Sequence, residues 1–320
     1  MPQHEPVLAG PGQAGSRDIA ALNHLFSEAF TDRYQRDGMA GVRVPPLNPA
    51  VWRYALEHAG EGAMIWRDAA GSIVAFNMVH HSGVEGWMGP LAVRRGLQER
   101  GAGGDIVRAG MAWLKRQGVR VIGLETMPRT VENIGFYLRL GFLPGYLTLS
   151  LTRPARHTRV AGASRMGDHP AERETLIESC RILAHQCADG TDFTREIMLT
   201  AELALGDTTL FQRGGRLAGF ALWHAVPLAA GRYAEDLRVL KLVAEDTAAL
   251  MSLLDALGSE AAERRLERVT VRVQGAFHQA LATMVDRDFR VQWTDLRMTL
   301  REFPEVPVCD GAVVFSNWEI

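Results

Sequence analysis

The order of secondary-structure elements predicted from the sequence occurs twice along the chain. Alternating apolar residues predict strands, and apolar residues three or four apart predict helices. Residues 7–151 give the order β-α-α-β-β-β-α-β-α-β, and residues 159–300 give the same order again. A shift of 147 residues places Gly141-Phe142 on Asp288-Phe289, and 120–126 on 267–273. We therefore predict a tandem duplication of one α/β unit.

The predicted fold class is α/β, of the α+β kind, with two units that each have a mixed, mostly antiparallel sheet flanked by helices. A chain of 320 residues suits two domains of ordinary size. Arg153-Pro154 interrupts the pattern after the first repeat, so we place the domains at 1–153 and 158–302. The remaining 303–320 form a tail with an apolar, strand-like piece, and its sequence does not indicate which half it contacts.

Composition excludes several classes of protein. The chain is 47% hydrophobic and 22% charged, which excludes a disordered protein. The 35 Lys and Arg are balanced by 37 Asp and Glu, so nucleic acid is not an expected partner. Apolar runs are shorter than the roughly 20 residues of a membrane span, and the first twelve residues lack a signal-peptide pattern. A cytoplasmic protein that does not bind membranes is expected.

Cysteine and histidine spacing predicts neither a disulfide framework nor a metal site. The three cysteines form no CxxC pair and leave an odd thiol, which fits a reducing compartment. The ten histidines show no HxH or HxxxH spacing, and the neighbours His80 and His81 would point to opposite faces of a strand. No metal is therefore expected.

The strongest chemical signal is the glycine-rich loop 98–104, Gln-Glu-Arg-Gly-Ala-Gly-Gly, between a strand that ends at Val93 and a helix. A helix start presents unpaired backbone N–H groups and the positive end of the helix dipole, so it can hold a pyrophosphate if no side chain blocks the approach. A GxGxxG dinucleotide motif fails here because Ile106 stands where the third glycine is needed, and no Walker lysine follows. The loop fits Q/R-x-x-G-x-G/A, although an ordinary glycine turn remains an alternative for the loop alone.

With this loop, residues 17–151 resemble the GNAT superfamily of acyl-CoA-dependent N-acyltransferases. In that family, four residues separate an apolar strand end from the Q/R-x-x-G-x-G/A turn, as 94–97 do after Val93. A second family motif, Y-x-x-x-G-F, is matched by 137–142. The chain differs from the family pattern at one position. Thr130 stands where the family often has asparagine, although its hydroxyl could still cap a helix.

The resemblance implies an acyl-CoA site in the first half. The backbone of Leu91, Ala92 and Val93 would bind the pantetheine arm, and an N–H of Val93 or Ala92 would stabilise the oxyanion. Tyr137 would protonate the departing thiolate. The remaining residues of the implied cofactor site are Gln98, Arg100, Gly101, Ala102, Gly103 and Gly104 for the pyrophosphate, and Thr130 and Asn133 at the start of the following helix. Whether Asn133 takes over the pantetheine contact of the family's asparagine is left open.

The general base is left open between two carboxylates. Glu125 is the first candidate, since it ends a strand twelve residues before Tyr137, where some relatives place a catalytic glutamate. Glu85, at the start of the strand with the cofactor contacts, is the second. A solvated or salt-bridged carboxylate is an equally good interpretation of each.

The second half lacks the matching residues. At the same shift, Met284 replaces Tyr137 and Arg272 replaces Glu125, and 245–250 contains no glycine. We therefore predict a degenerate GNAT-like unit without cofactor, and one acyl-CoA site per chain.

The predicted activity is transfer of acetyl from acetyl-CoA directly to a primary amine in a ternary complex. The acceptor is a small molecule or a peptide, and the sequence indicates neither its identity nor the oligomeric state. Two alternatives remain: an acyltransferase that uses a longer acyl-CoA, and a non-catalytic acyl-CoA sensor or interaction protein with the same fold.

Overall fold

The computed structural model describes residues 8–98 and 101–318, and its first half follows the predicted order of elements. The elements are β1 (Ala9–Gln13), α1 (Ile19–Arg36), α2 (Pro49–Ala59), β2 (Ala63–Arg67), β3 (Ile73–Ser82), β4 (Glu85–Val93), α3 (Ala102–Arg116), β5 (Val121–Thr126), α4 (Val131–Arg139) and β6 (Phe142–Pro154).

The second half repeats that order, and a further strand follows it. Its elements are β7 (Ala163–Arg165), α5 (Arg173–Cys187), α6 (Thr194–Glu202), β8 (Gly206–Arg213), β9 (Arg216–His224), β10 (Asp236–Ala244), α7 (Thr247–Glu263), β11 (Arg268–Gln274), α8 (His278–Asp286), β12 (Arg290–Leu300) and β13 (Val313–Ser316). The predicted fold class, a mixed α/β arrangement of two similar halves, is confirmed. Within the described residues, no helix has the length and apolar character needed to cross a bilayer.

Helices cover both faces of the sheet in each half, so β3 in the first half and β9 in the second are buried on both sides. In the first half, one apolar core lies between the sheet and α1 and α2, with Trp52 at its centre. A second core packs α3 against the opposite face through Ile106 and Leu114. In the second half, α5 and α6 cover one face and α7 and α8 the other.

The two halves share one continuous sheet because they exchange their last strands. The strand order is β1-β2-β3-β4-β5-β12-β6-β11-β10-β9-β8-β7. Strand β12 of the second half pairs antiparallel with β5, with Leu296 opposite Thr126. Strand β6 of the first half pairs with β11, with Leu151 opposite Val271. Each half is thus completed by a strand from the other, although the boundaries at 153 and 158 remain a prediction.

The C-terminal tail folds back over the junction of the two halves. Its strand β13 pairs antiparallel with β10 of the second half. Trp318 follows and lies flat on β5 of the first half, where a Cβ on Gly123 would come within 2.1 Å of the indole ring. The guanidinium of Arg297 lies 3.2 Å from the centroid of the same ring. The tail therefore contacts both halves, which its sequence alone did not indicate.

Candidate active site

The strands β4 and β5 separate and leave an open strand edge. They pair in parallel from Glu85 and Val121 to Met88 and Leu124. Beyond that point β4 has a bulge at Gly89-Pro90, and no strand of the described residues pairs with 89–93 on this side. The N–H of Arg94 donates to Val74 of β3 at 2.8 Å. Because N–H directions alternate along a strand, those of Leu91 and Val93 point to the open edge and that of Ala92 points to β3.

The glycine loop leads directly into α3. Gly101 is the N-cap residue and has a φ of 81°, a left-handed conformation that glycine adopts without strain. The described part of the loop also includes Gln98, whose side chain bridges the carbonyl of Val93, at 2.8 Å, and the guanidinium of Arg36, at 2.9 Å. Gln98 therefore positions the loop from the side. Arg100, a predicted pyrophosphate contact, lies outside the described residues.

A groove of about 500 Å³ runs along the open edge to the start of α3. We call it the cofactor groove. It is lined by Ala29, Phe30, Arg33, Arg36, Leu91, Ala92, Val93, Gln98, Gly103, Glu132, Asn133, Phe136, Tyr137 and Arg139. Of the predicted cofactor contacts, the structure brings together the strand 91–93, Gln98, Gly103, Asn133 and Tyr137 here. Gly101, Ala102 and Gly104 shape the helix start behind it and do not line the groove.

A second cavity, of about 350 Å³, opens beside the groove, and we call it the inner pocket. Both halves of the chain and the tail line it, mostly with apolar side chains. Its lining includes Phe26, Phe30, Tyr34, Leu47, Met88, Leu91, Glu125, Thr130, Asn133 and Tyr137, and, from beyond the first half, Leu228, Trp293, Asp295 and Trp318. The two cavities share five residues, among them Leu91 and Tyr137. A group held at this junction can therefore reach both.

Tyr137 lies at that junction, on α4. Its ring packs against Phe142, with centroids 6.0 Å apart. Burial raises the pKa of Tyr137 to about 12, so the hydroxyl stays protonated at neutral pH. The described residues offer this hydroxyl no hydrogen-bond partner, and it is free to donate a proton to a group in either cavity.

Glu125 is the centre of a buried ion-pair network across the seam. Its Oε1 accepts from Thr148 at 2.5 Å and from Arg297 at 3.0 Å, and its Oε2 accepts from Arg272 at 2.6 Å. Burial opposes the charge, but the two guanidinium groups and Thr148 outweigh it and lower the pKa of Glu125. The carboxylate therefore lines the inner pocket as a fixed negative charge, and it is a poor proton acceptor.

Two other predicted residues have contacts that differ from expectation. Glu85 lies at the far end of β4, lines neither cavity, and accepts a hydrogen bond from Ser316 at 2.6 Å, so the structure does not bring it to the site. Thr130 begins α4 but makes no side-chain cap. Its hydroxyl instead donates to Asp37 at 2.5 Å, which ties the end of α1 to the start of α4. Thr130 is fully buried in the wall of the inner pocket.

In the second half, the tail occupies the position that corresponds to the open edge. Strands β10 and β11 pair in parallel from Asp236 and Arg268, as β4 and β5 do from Glu85 and Val121. In this register, residues 242–244 correspond to 91–93. The numbering of the two halves therefore differs by 151 along β4 and β10, and by 147 along β5 and β11. Strand β13 pairs with 242–244 and fills the gap between the two strands.

The loop that corresponds to the glycine loop is also closed. Only Glu245 and Asp246 separate β10 from α7. Asp246 caps α7 by accepting the N–H of Ala249 at 2.8 Å, and both carboxylates pair with Arg213. The second half therefore places its own negative charges where a pyrophosphate would have to bind. Among the residues that the structure describes, no group of three His, Cys, Asp or Glu side chains could hold a metal ion.

Comparison with known proteins agrees with this geometry. Residues 19–142 match the family described as Acetyltransferase (GNAT) family. A proposed acetyltransferase from Pyrococcus horikoshii superposes with a TM-score of 0.68 at 16% identity, covering 99% of each chain. N-myristoyltransferase of Saccharomyces cerevisiae, with bound myristoyl-CoA, gives 0.64 at 11% identity over 94% of this chain and 80% of that one. A tandem GNAT protein from the clavulanic acid biosynthesis pathway gives 0.57 at 12% identity over 94% and 100%.

Residues 19–142 in the first half thus match the GNAT acetyltransferase family, and the whole chain has the fold of tandem GNAT proteins. An acyl-CoA-dependent transferase is the class of protein that this family defines. A search of curated proteins found no match to the sequence.

Proposed function

We propose that the protein is an N-acyltransferase that moves an acetyl group from acetyl-CoA directly to a primary amine in a ternary complex. The main support for this proposal is that the cofactor groove and the inner pocket meet at Leu91 and Tyr137. A thioester in the groove would present its carbonyl carbon to an amine in the pocket. The apolar lining of the pocket favours an amine carried on an apolar small molecule or peptide.

The residues of this chain supply three steps. The N–H groups on the open edge of β4, at Leu91 and Val93, bind the pantetheine arm and stabilise the oxyanion that forms when the amine attacks the carbonyl. The start of α3 holds the pyrophosphate through unpaired backbone N–H groups. As the C–S bond breaks, Tyr137 donates its proton to the thiolate. The coenzyme supplies the activated acyl group.

Release of free CoA thiol tests this proposal. Purified protein, acetyl-CoA and a panel of primary amines should release thiol, and mass spectrometry should find the acetylated amine. Binding of acetyl-CoA without thiol release across the panel would favour the sensor. A higher kcat/KM with a longer acyl-CoA would favour an acyltransferase that uses a longer acyl donor.

Three free cysteines in the described residues support a reducing compartment such as the cytoplasm.

Calorimetric titration with acetyl-CoA should give one site per chain, because β13 and the pair Glu245 and Asp246 close the equivalent slot in the second half. Replacing Gly103 by leucine puts a side chain into the groove, beside Phe136, and should weaken binding more than tenfold, about 1.4 kcal/mol or more.

The matched control is Ala248→Leu, which also introduces a leucine at the second residue of a helix, here at an exposed position of α7. It should leave affinity and stoichiometry unchanged. Two equivalent sites in the wild-type protein would contradict the assignment of a closed second half.

A further inference from the structure

The second half contributes a carboxylate to the inner pocket that the mechanism above does not use. Asp295 lies on β12, opposite Thr148 of β6, and only 3% of it is exposed. It lines the pocket together with Glu125 and Trp293. Because the strand exchange inserts β12 beside β5, this residue faces the same cavity as Tyr137, although 158 positions separate the two in the sequence.

Hydrogen bonding distinguishes the two carboxylates of the pocket. Both oxygens of Glu125 accept short, charge-assisted hydrogen bonds, as described above. Asp295 accepts one such bond, from Arg272 to Oδ2 at 3.0 Å. Within the described part of the chain, the hydrogen bond recorded for its Oδ1 comes from the indole N–H of Trp293, at 3.3 Å. A neutral donor at that distance binds an anion weakly, so Oδ1 retains the capacity to accept a proton.

The charges around the pair separate its two pKa values. Burial raises the pKa of Asp295, and the neighbouring charge of Glu125 adds to the effect against the opposing influence of Arg272. The pKa of Glu125 is lowered by Arg272 of β11 and Arg297 of β12. Two carboxylates whose surroundings drive their pKa values apart take different roles, one as a fixed charge and one as a proton carrier.

We propose that Asp295 is the general base, which removes the proton from the acceptor amine. The inference rests on the proposed transferase function. The amine arrives as an ammonium ion and gives one proton to Oδ1 of Asp295, which later passes it to water. The neutral nitrogen forms the C–N bond, and the C–S bond breaks. Tyr137 protonates the thiolate and recovers its proton from the second N–H that the nitrogen loses.

This role predicts a specific pH dependence. Asp295 must be ionised to accept a proton, so activity should fall as pH decreases through its pKa. Since that pKa is raised, the acidic limb of the profile should lie above the ordinary range of a carboxyl group. The other titratable or charged groups that face Asp295 or its pocket are Glu125 of β5, Arg272 of β11, Arg33 of α1 and Tyr137 of α4, and Arg297 of β12 contacts Glu125. The pKa of Glu125 is lowered, that of Tyr137 is raised to about 12, and a guanidinium group is not deprotonated in proteins, so none of these produces that limb.

The test compares wild type and Asp295→Asn in the full chain. The probes are acetyl-CoA with phenethylamine, ethanolamine or spermidine, whichever the wild-type protein turns over fastest. Asp295→Asn is nearly isosteric, so we expect acetyl-CoA affinity within about twofold of wild type and kcat lower by about 100-fold or more. The acidic limb should disappear, which a merely structural role would not produce. Asp295→Glu should keep the limb at reduced kcat.

The control Asp286→Asn removes an exposed carboxyl of the same half and should leave both kcat and the profile unchanged. If the wild type is active and Asp295→Asn has the same kcat and the same acidic limb, the assignment of Asp295 is wrong and the transferase function stands. A loss of kcat with the limb retained would also overturn it and indicate a positioning role. A wild-type protein that binds acetyl-CoA but acetylates none of the three amines would overturn the transferase function itself, and the assignment of Asp295 with it.

Discussion

Replacing Tyr137 by phenylalanine should lower kcat by about 100-fold or more while acetyl-CoA still binds with wild-type affinity. The substitution removes one hydroxyl from the junction of the two cavities and keeps the ring that packs against Phe142. Without it, the departing thiolate must take its proton from solvent, and loss of a positioned general acid has an effect of this size. Discontinuous thiol assays measure kcat, and calorimetric titration measures the affinity for acetyl-CoA.

Tyr146→Phe is the matched control, since this tyrosine on β6 is 53% exposed and lines neither cavity. Its kcat should equal that of the wild type. If Tyr137→Phe also kept wild-type turnover, the assignment of the acid would be wrong.

Replacing Glu125 by glutamine should lower the free energy of unfolding by about 3 to 5 kcal/mol, because it leaves two buried guanidinium groups without their shared anion. Urea denaturation measures this change. The pKa of Glu125 is lowered in the folded state, so its charge stabilises the fold at neutral pH. That contribution is lost on acidification, as the pH falls from the unfolded value near 4.5 through the folded pKa. The difference between wild type and variant should therefore shrink in acid.

Asp189→Asn is the control for position. Asp189 also joins the two halves, through an ion pair with Arg120 at 2.8 Å, but both side chains are at least half exposed. Such a surface pair contributes about 0 to 1 kcal/mol. Equal losses in the two variants would show that the Glu125 network contributes no more than surface charge.

Local patterns were sufficient to predict the secondary-structure elements and which segments lie beside the groove at the start of α3. The alternation in β3 and the helical spacing in α3 reflect burial by direct neighbours, so periodicity identifies them. The glycine loop was also predictable, because a left-handed residue at Gly101 and an unobstructed helix start are local requirements.

The rest of the candidate site depends on pairing between distant segments. Nothing local in β6 or β12 specifies that they exchange partners, and this exchange brings Asp295 and Trp293 to the pocket. The alternation of Asp295 and Arg297 within an apolar strand was a weak signal of a buried charged face. The position of Glu125 in the chain predicts a candidate base, but its two arginine partners come from the other half. Thr130 was expected to cap α4, and Asp37, 93 residues earlier, competes successfully for its hydroxyl.

The exchanged strands also limit how this chain could have evolved. Although β13 fills the slot beside β10 in the second half, the sheet of the first half is complete only with β12, which the second half supplies. Deletion of everything after residue 155 would remove β12 and β11, and would expose the long edges of β5 and β6 to pairing with other molecules. The second half thus protects the edges of β5 and β6 from intermolecular pairing, in addition to the residues that it contributes to the inner pocket.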